Sequence, residues 1–223
     1  MAALRAAWLV TQKDLRVELR SRELVYTTLF FAVACVLVFA FAFGSPEEDT
    51  AAGVLWVAVM FSGTVALGRT FERERQGETL RALLLSPVER GAVYLGKLLA
   101  LVALMSGVQL VLVPVVALLF HAPLGRAPAL LAALLVAGTL GFAAVGTLFS
   151  AMLSRARSRD ILLPMLLYPM TVPVVIAGVE GTVALFAREP NLAMAETWLA
   201  MLVFFDAVFL TLALWTFGAV MEE

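Results

Sequence analysis

The sequence predicts an all-α integral membrane protein with six transmembrane helices and both termini in the cytoplasm, and three observations predict it. First, 62% of the 223 residues are hydrophobic and the mean hydropathy is +0.97, whereas a soluble domain is about half apolar. Second, the surplus lies in unbroken blocks, each about long enough to cross roughly 30 Å of hydrocarbon. They do not alternate as the strands of a membrane barrel must, and only helices or closed barrels satisfy their own backbone in lipid. Third, the charged residues gather in the joints between blocks, and lysine and arginine favour every second joint.

In chain order, the spans are expected at about Leu24–Phe43, Ala51–Gly68, Leu98–Phe120, Ala129–Leu153, Ile161–Gly178 and Trp198–Val220. The segment before the first span carries Arg5, Lys13, Arg16, Arg20 and Arg22, the Arg69–Gly91 joint carries Arg69, Arg73, Arg75, Arg81 and Arg90, and Ser154–Asp160 carries Arg155, Arg157 and Arg159. The intervening joints hold no basic residue at Gly44–Thr50, only Arg126 at His121–Pro128 and only Arg188 at Leu185–Thr197. Basic joints stay on the cytoplasmic side, so the N- and C-termini are both placed inside. Lys97, one turn into the third block, reads as a lysine snorkelling back to the cytoplasmic headgroups. A net charge of −1 draws the chain to no nucleic acid. Cys35 is the single cysteine, so no internal disulfide is available. Residues 1–23 mix acidic and basic groups and do not read as a cleaved signal.

Two amphipathic segments lie outside the spans. In residues 1–23, Leu4, Trp8, Leu15 and Leu19 recur near helical spacing with charges between them. Such a helix lies in the membrane interface, apolar side in lipid, either as an anchor or as a lever to a cytoplasmic partner. In residues 69–91, Phe71–Arg75 is expected to extend the second span into the cytosol, and Gly77 to break it. Glu78 then suits the first turn of a short helix. Leu80, Leu83 and Leu84 form an apolar stripe, and Pro87 ends it. So short a helix is marginal alone in water. Its leucines need lipid, the chain's own bundle, or a groove on another protein.

The run Phe71-Glu-Arg-Glu-Arg-Gln-Gly-Glu-Thr-Leu-Arg-Ala-Leu-Leu-Leu-Ser-Pro-Val-Glu-Arg, followed by Tyr94-Leu-Gly-Lys97, resembles the coupling segment of type-2 ABC exporter permeases. Three further stretches sharpen the likeness: Lys13-Asp-Leu-Arg-Val-Glu-Leu-Arg-Ser-Arg-Glu23, Gly138-Thr-Leu-Gly-Phe-Ala-Ala-Val-Gly-Thr-Leu-Phe-Ser-Ala151 and Leu162-Leu-Pro-Met-Leu-Leu-Tyr-Pro-Met-Thr-Val-Pro173. With them the whole chain resembles the haem exporter B family of bacterial cytochrome c maturation. The resemblance implies a single permease domain over 1–223, of the type-2 ABC fold, in the bacterial inner membrane. It implies an interfacial helix at 1–23 and a coupling helix at about Glu72–Pro87. Glu72, Glu74, Glu78, Leu80, Leu83, Leu84 and Pro87 would then meet an ABC ATPase subunit. It also implies a second copy of the chain, the other membrane subunits of cytochrome c maturation, a periplasmic haem chaperone, and haem within the complex.

The residues themselves limit the chemistry. No G-x-x-x-x-G-K-S/T phosphate loop occurs, so ATP would sit on a partner subunit and this chain would not be an enzyme. With His121 the only histidine, a metal centre built on several histidines is excluded. His121 is a conceivable axial haem ligand on the outer side, or simply a polar interfacial residue.

Within the spans, Asp206 and Gln109 are the polar residues that demand an explanation. An aspartate at mid-membrane costs about 2.5–3.5 kcal/mol on insertion scales, so Asp206 should face a neighbouring helix or a wet cavity. The fourth span is expected to pack through Gly138, Gly141, Ala143, Ala144, Gly146, Ser150 and Ala151. The fifth carries Pro164, Pro169 and Pro173, which kink or interrupt a helix. Glu180–Glu196 reads as short surface or re-entrant helices. Two other functions stay open from the residues: an ion-coupled secondary transporter centred on Asp206, without the inverted repeat such proteins show, and a membrane scaffold with no transport role.

Overall fold

A computed structural model describes residues 2–43, 48–76, 90–153, 156 and 158–220. Those residues form seven helices: α1 (Ala2–Ser21), α2 (Glu23–Phe43), α3 (Glu48–Gln76), α4 (Arg90–Phe120), α5 (Pro128–Met152), α6 (Arg159–Phe186) and α7 (Leu192–Val220). Six of them, α2 to α7, are long and apolar enough to cross a membrane.

Helix ends follow local chemistry. At the α1–α2 corner, Arg22 adopts φ 55°. Its N–H donates to the Glu18 carbonyl at 2.7 Å, while the Glu18 carboxylate accepts the Leu24 N–H at 3.1 Å. One acidic residue thus serves the end of one helix and the start of the next. α4 also ends on a left-handed residue, with a different closure. His121 has φ 54° and the next N–H, of Ala122, returns to the Ala117 carbonyl at 3.2 Å, the six-to-one closure of a helix that stops on a left-handed residue. Pro128 opens α5, where its missing N–H is not needed. Asn191 caps α7, its Oδ1 accepting the Met194 N–H at 3.0 Å.

The interior is built around α5, which packs on α3, α4, α6 and α7. Its small residues make this possible: Gly138, Gly141, Ala143, Ala144, Gly146, Ser150 and Ala151 are all buried. Trp56 of α3 is fully buried between two glycines. A Cβ at Gly138 would stand 2.5 Å from its Cζ3, and one at Gly178 of α6 would stand 2.5 Å from its Cζ2. The indole N–H donates to Thr182 Oγ1 at 2.9 Å, and that hydroxyl donates to the Gly178 carbonyl at 2.7 Å. In lipid, where apolar burial gives helices little reason to associate, such close packing and interhelical hydrogen bonds hold them together.

Three expectations need correction. The fifth span does not end at Gly178. It runs as one helix through Pro164, Pro169 and Pro173 to Phe186. The sixth begins at Leu192, so Glu180–Glu196 forms no separate re-entrant or surface helix. It is the end of α6, a short turn, and the start of α7. Lys97 does not snorkel. Its side chain is only 2% exposed, and Nζ lies 3.5 Å from Asp14 Oδ2 of α1, so an internal carboxylate replaces the headgroups as its counter-charge. The expectation that Phe71–Arg75 continues the second span does hold, since α3 reaches Gln76.

Candidate functional site

The residues expected to meet an ATPase lie mostly outside the described residues. Glu78, Leu80, Leu83, Leu84 and Pro87 fall in 77–89, which is not described, and Glu72 and Glu74 are on the last turns of α3. The structure therefore frames this joint by its two flanking helices, with α3 entering it and α4 leaving it.

The start of α4 is the better-defined side. Tyr94 is fully buried. Its hydroxyl donates to the Ala144 carbonyl of α5 at 3.0 Å, and its ring meets Phe217 of α7 at a centroid distance of 5.2 Å. Two residues on, Gly96 lets α1 come close. A Cβ there would stand 2.6 Å from the Val10 Cβ and 2.7 Å from the Ala7 carbonyl oxygen. The Thr11 hydroxyl donates to the Gly96 carbonyl at 3.0 Å. Lys97 then pairs with Asp14, whose other oxygen lies 2.8 Å from Lys13 Nζ. This contact face of α1, carrying Ala7, Val10, Thr11, Asp14 and Glu18, is not the leucine stripe expected to lie in the interface. Leu4 and Trp8 of that stripe remain 71% and 57% exposed, free to face lipid. Sequence reasoning missed the Thr11–Asp14 face because its residues are small or polar. The sole hint was that Lys13-Asp14 and Tyr94–Lys97 both fell in stretches singled out by resemblance.

Deeper in the bundle, the two intramembrane polar residues are not brought together. Gln109 of α4 donates through Nε2 to Thr139 Oγ1 of α5 at 2.6 Å, a structural interhelical bond. Asp206 of α7 is 5% exposed and faces Gly141 of α5, where an added Cβ would stand 2.6 Å from its Oδ1. That oxygen is buried with no hydrogen-bond partner among the described residues. Thr139 and Gly141 are two positions apart, about 200° around the helix, so Gln109 and Asp206 approach α5 from opposite sides.

A groove of about 550 Å³ opens between α4 and α5, lined among others by Ser106, Gly107, Gln109, Leu110, Pro114 and Leu135. Among the described residues, no histidine, cysteine, methionine or tyrosine lines it. His121 stands exposed at the end of α4, its backbone committed to closing that helix. Beside it, Arg126 reaches from the α4–α5 turn to the end of α6. Its Nη1 donates to the Phe186 carbonyl at 2.9 Å and also to that of Ala187. Among the described residues, no group of three or more histidine, cysteine or acidic side chains could hold a metal ion.

Six apolar spans, four of them packed against the small-residue span α5, with an additional amphipathic helix docked on the start of α4, define a polytopic α-helical membrane protein. The family model described as CcmB protein matches residues 5–223. The chain is 36% identical over 197 residues to heme exporter protein B of Paracoccus denitrificans, covering 85% of each chain. It is 31% identical over 174 residues to the protein of that name from Rhodobacter capsulatus, covering 75% of this chain and 78% of the other. A third, from Escherichia coli K12, is 32% identical over 97 residues, 42% of this chain and 44% of that one. The chain belongs to the CcmB family, and it is a multi-pass protein of the inner membrane.

Proposed function

We propose that the chain is the membrane permease subunit of an ABC-type complex that exports or delivers haem for cytochrome c maturation. Membership of the CcmB family over residues 5–223 carries the reading. With no phosphate loop in the sequence, nucleotide chemistry falls to a separate ATPase subunit. That subunit closes on ATP, engages the 69–91 joint through Glu72, Glu74, Glu78 and the leucines at 80, 83 and 84, and drives α3 and α4 from their joined ends. Paired nucleotide sites call for a second copy of the chain. Haem is substrate here, and this chain supplies the conformational work of its handling in the complex.

The test is co-purification with the ATPase subunit in detergent, followed by ATP hydrolysis and haem delivery assays. Leu80→Asp together with Leu84→Asp is expected to reduce ATPase binding by about a hundredfold, since charge at a groove-filling apolar anchor costs a few kcal/mol. Wild-type binding and delivery by that double variant would refute the coupling role.

A further inference from the structure

The Tyr94-Leu-Gly-Lys97 motif lies on the first turns of α4, the helix that follows the coupling joint, and while Tyr94 faces α5 and α7, Gly96 and Lys97 both face α1. Tyr94 ties α4 to α5 and α7 through Ala144 and Phe217. Gly96 removes the side chain that would push α1 away, and its carbonyl receives the Thr11 hydroxyl. Lys97 presents a buried cation to Asp14. One turn further along α1, Glu18 caps the Leu24 N–H and so grips the start of α2. A small cavity of about 30 Å³ between α1, α2 and α4, bordered by Asp14, Glu18, Leu24 and Leu101, completes this corner. It has room for about one water molecule among polar partners.

From this geometry we infer that Lys97 and Asp14 are a positioning pair that makes α1 and the start of α4 one rigid arm, through which movement at the coupling joint reaches α2. The inference rests on the coupling reading above and adds to it the route inside this chain. Its physical basis is the position of the pair. Asp14 lies on the face of α1 that α4 covers, and the lysine is enclosed on all sides. Losing a buried ion pair is costly, and because the other oxygen of Asp14 stays 2.8 Å from Lys13 Nζ, the loss falls on the side of the carboxylate that faces Lys97. The close backbone approach at Gly96 leaves no slack for α1 to slide while α4 moves. Packed contacts of this kind shift between discrete arrangements and do not deform smoothly. Because α1 also grips the start of α2 through Glu18, α2, which packs on α3 and α4 as well, is held to the same motion at its cytoplasmic end.

The experiment uses the full chain with its ATPase subunit and compares the wild type with Lys97→Glu, the exchange Asp14→Lys/Lys97→Glu, and the apolar double variant Asp14→Leu/Lys97→Met. Spin labels at Leu9 and Leu99, both exposed, on a Cys35→Ser background report the α1–α4 distance. The wild type is expected to give one narrow distance distribution, unchanged by nucleotide. Lys97→Glu should broaden it and lower ATP-dependent delivery about tenfold, a normal size for coupling between sites, while the ATPase still binds. The exchange variant should restore both readouts, which a lysine acting independently of Asp14 would not do. If Lys97→Glu fails to assemble, the apolar double variant decides. Removing both charges preserves folding, and a broadened distribution with lost coupling supports the pair. A narrow distribution with delivery within twofold of wild type, in either Lys97→Glu or the apolar variant, overturns the inference. So does an assembled exchange variant that stays uncoupled. Failure of Leu80→Asp/Leu84→Asp to impair ATPase binding would sink the coupling reading instead, and the distance measurement on the chain alone would still decide whether the arm is rigid.

Discussion

Gly178→Ala should loosen the centre of the bundle by about 3 kcal/mol, and the structure shows where that figure originates. The new methyl carbon would stand 2.5 Å from Trp56 Cζ2 and 2.6 Å from Cδ2, whereas carbon atoms rest at about 3.5–4.0 Å. The indole must therefore retreat by about 1 Å or more. Its far side is blocked by Gly138, whose Cα leaves no more room than a glycine gives, and its N–H is held by Thr182. Overpacking of this kind costs about 1–3 kcal/mol, and losing the buried indole hydrogen bond adds about 1 kcal/mol. Reversible unfolding in mixed bicelles with increasing dodecyl sulfate measures the loss. The diagnostic is a double-mutant cycle with Trp56→Phe, which removes the atoms that clash. The pair should be less destabilised than the sum of the single changes, by at least about 1 kcal/mol. Additivity within about 0.5 kcal/mol, the behaviour of independent sites, would show that the methyl does not press on the indole and would refute the packing scheme proposed for α3, α5 and α6.

Three further outcomes follow from named contacts. Arg126→Ala removes the cation that binds the last carbonyls of α6 and should cost about 1 kcal/mol, seen in the same unfolding assay and as faster amide exchange near Phe186. His121→Gly relieves a left-handed non-glycine residue at the end of α4 and should stabilise the chain by about 1 kcal/mol, with the haem absorbance of the purified complex unchanged; a shifted Soret band would make His121 a ligand after all. Asp206→Asn removes a carboxylate whose Oδ1 has no hydrogen-bond partner among the described residues and should leave stability unchanged or raise it by about 1 kcal/mol; a loss above 1 kcal/mol, or loss of an ATP-independent transport activity, would revive the ion-coupled reading.

Much of the architecture was legible along the chain because a bilayer imposes strong one-dimensional rules. Spans must be long and apolar, their ends carry the charges, and small residues mark where helices meet. The six spans, the extension of α3 to Gln76 and the glycine-rich packing face of α5 all follow from those rules. Residues 180–196 read as a surface segment because their glutamates and a proline mimic one. The helix continues to Phe186 because Gly181, Thr182, Leu185 and Phe186 are buried against neighbours, and that compensation has no signature in composition.

What the linear order determined, then, was the membrane class, the number of spans and the joint that bears the leucine stripe, since these depend on local hydrophobicity and charge. Only the tertiary structure decided who faces whom. Lys97 pairs with Asp14, 83 positions earlier; Trp56 sits between Gly138 and Gly178; and Gln109 and Asp206 lie on opposite sides of α5. Such pairings arise when distant segments are brought to van der Waals and hydrogen-bonding distance, and no periodicity within one helix encodes which partner will be there.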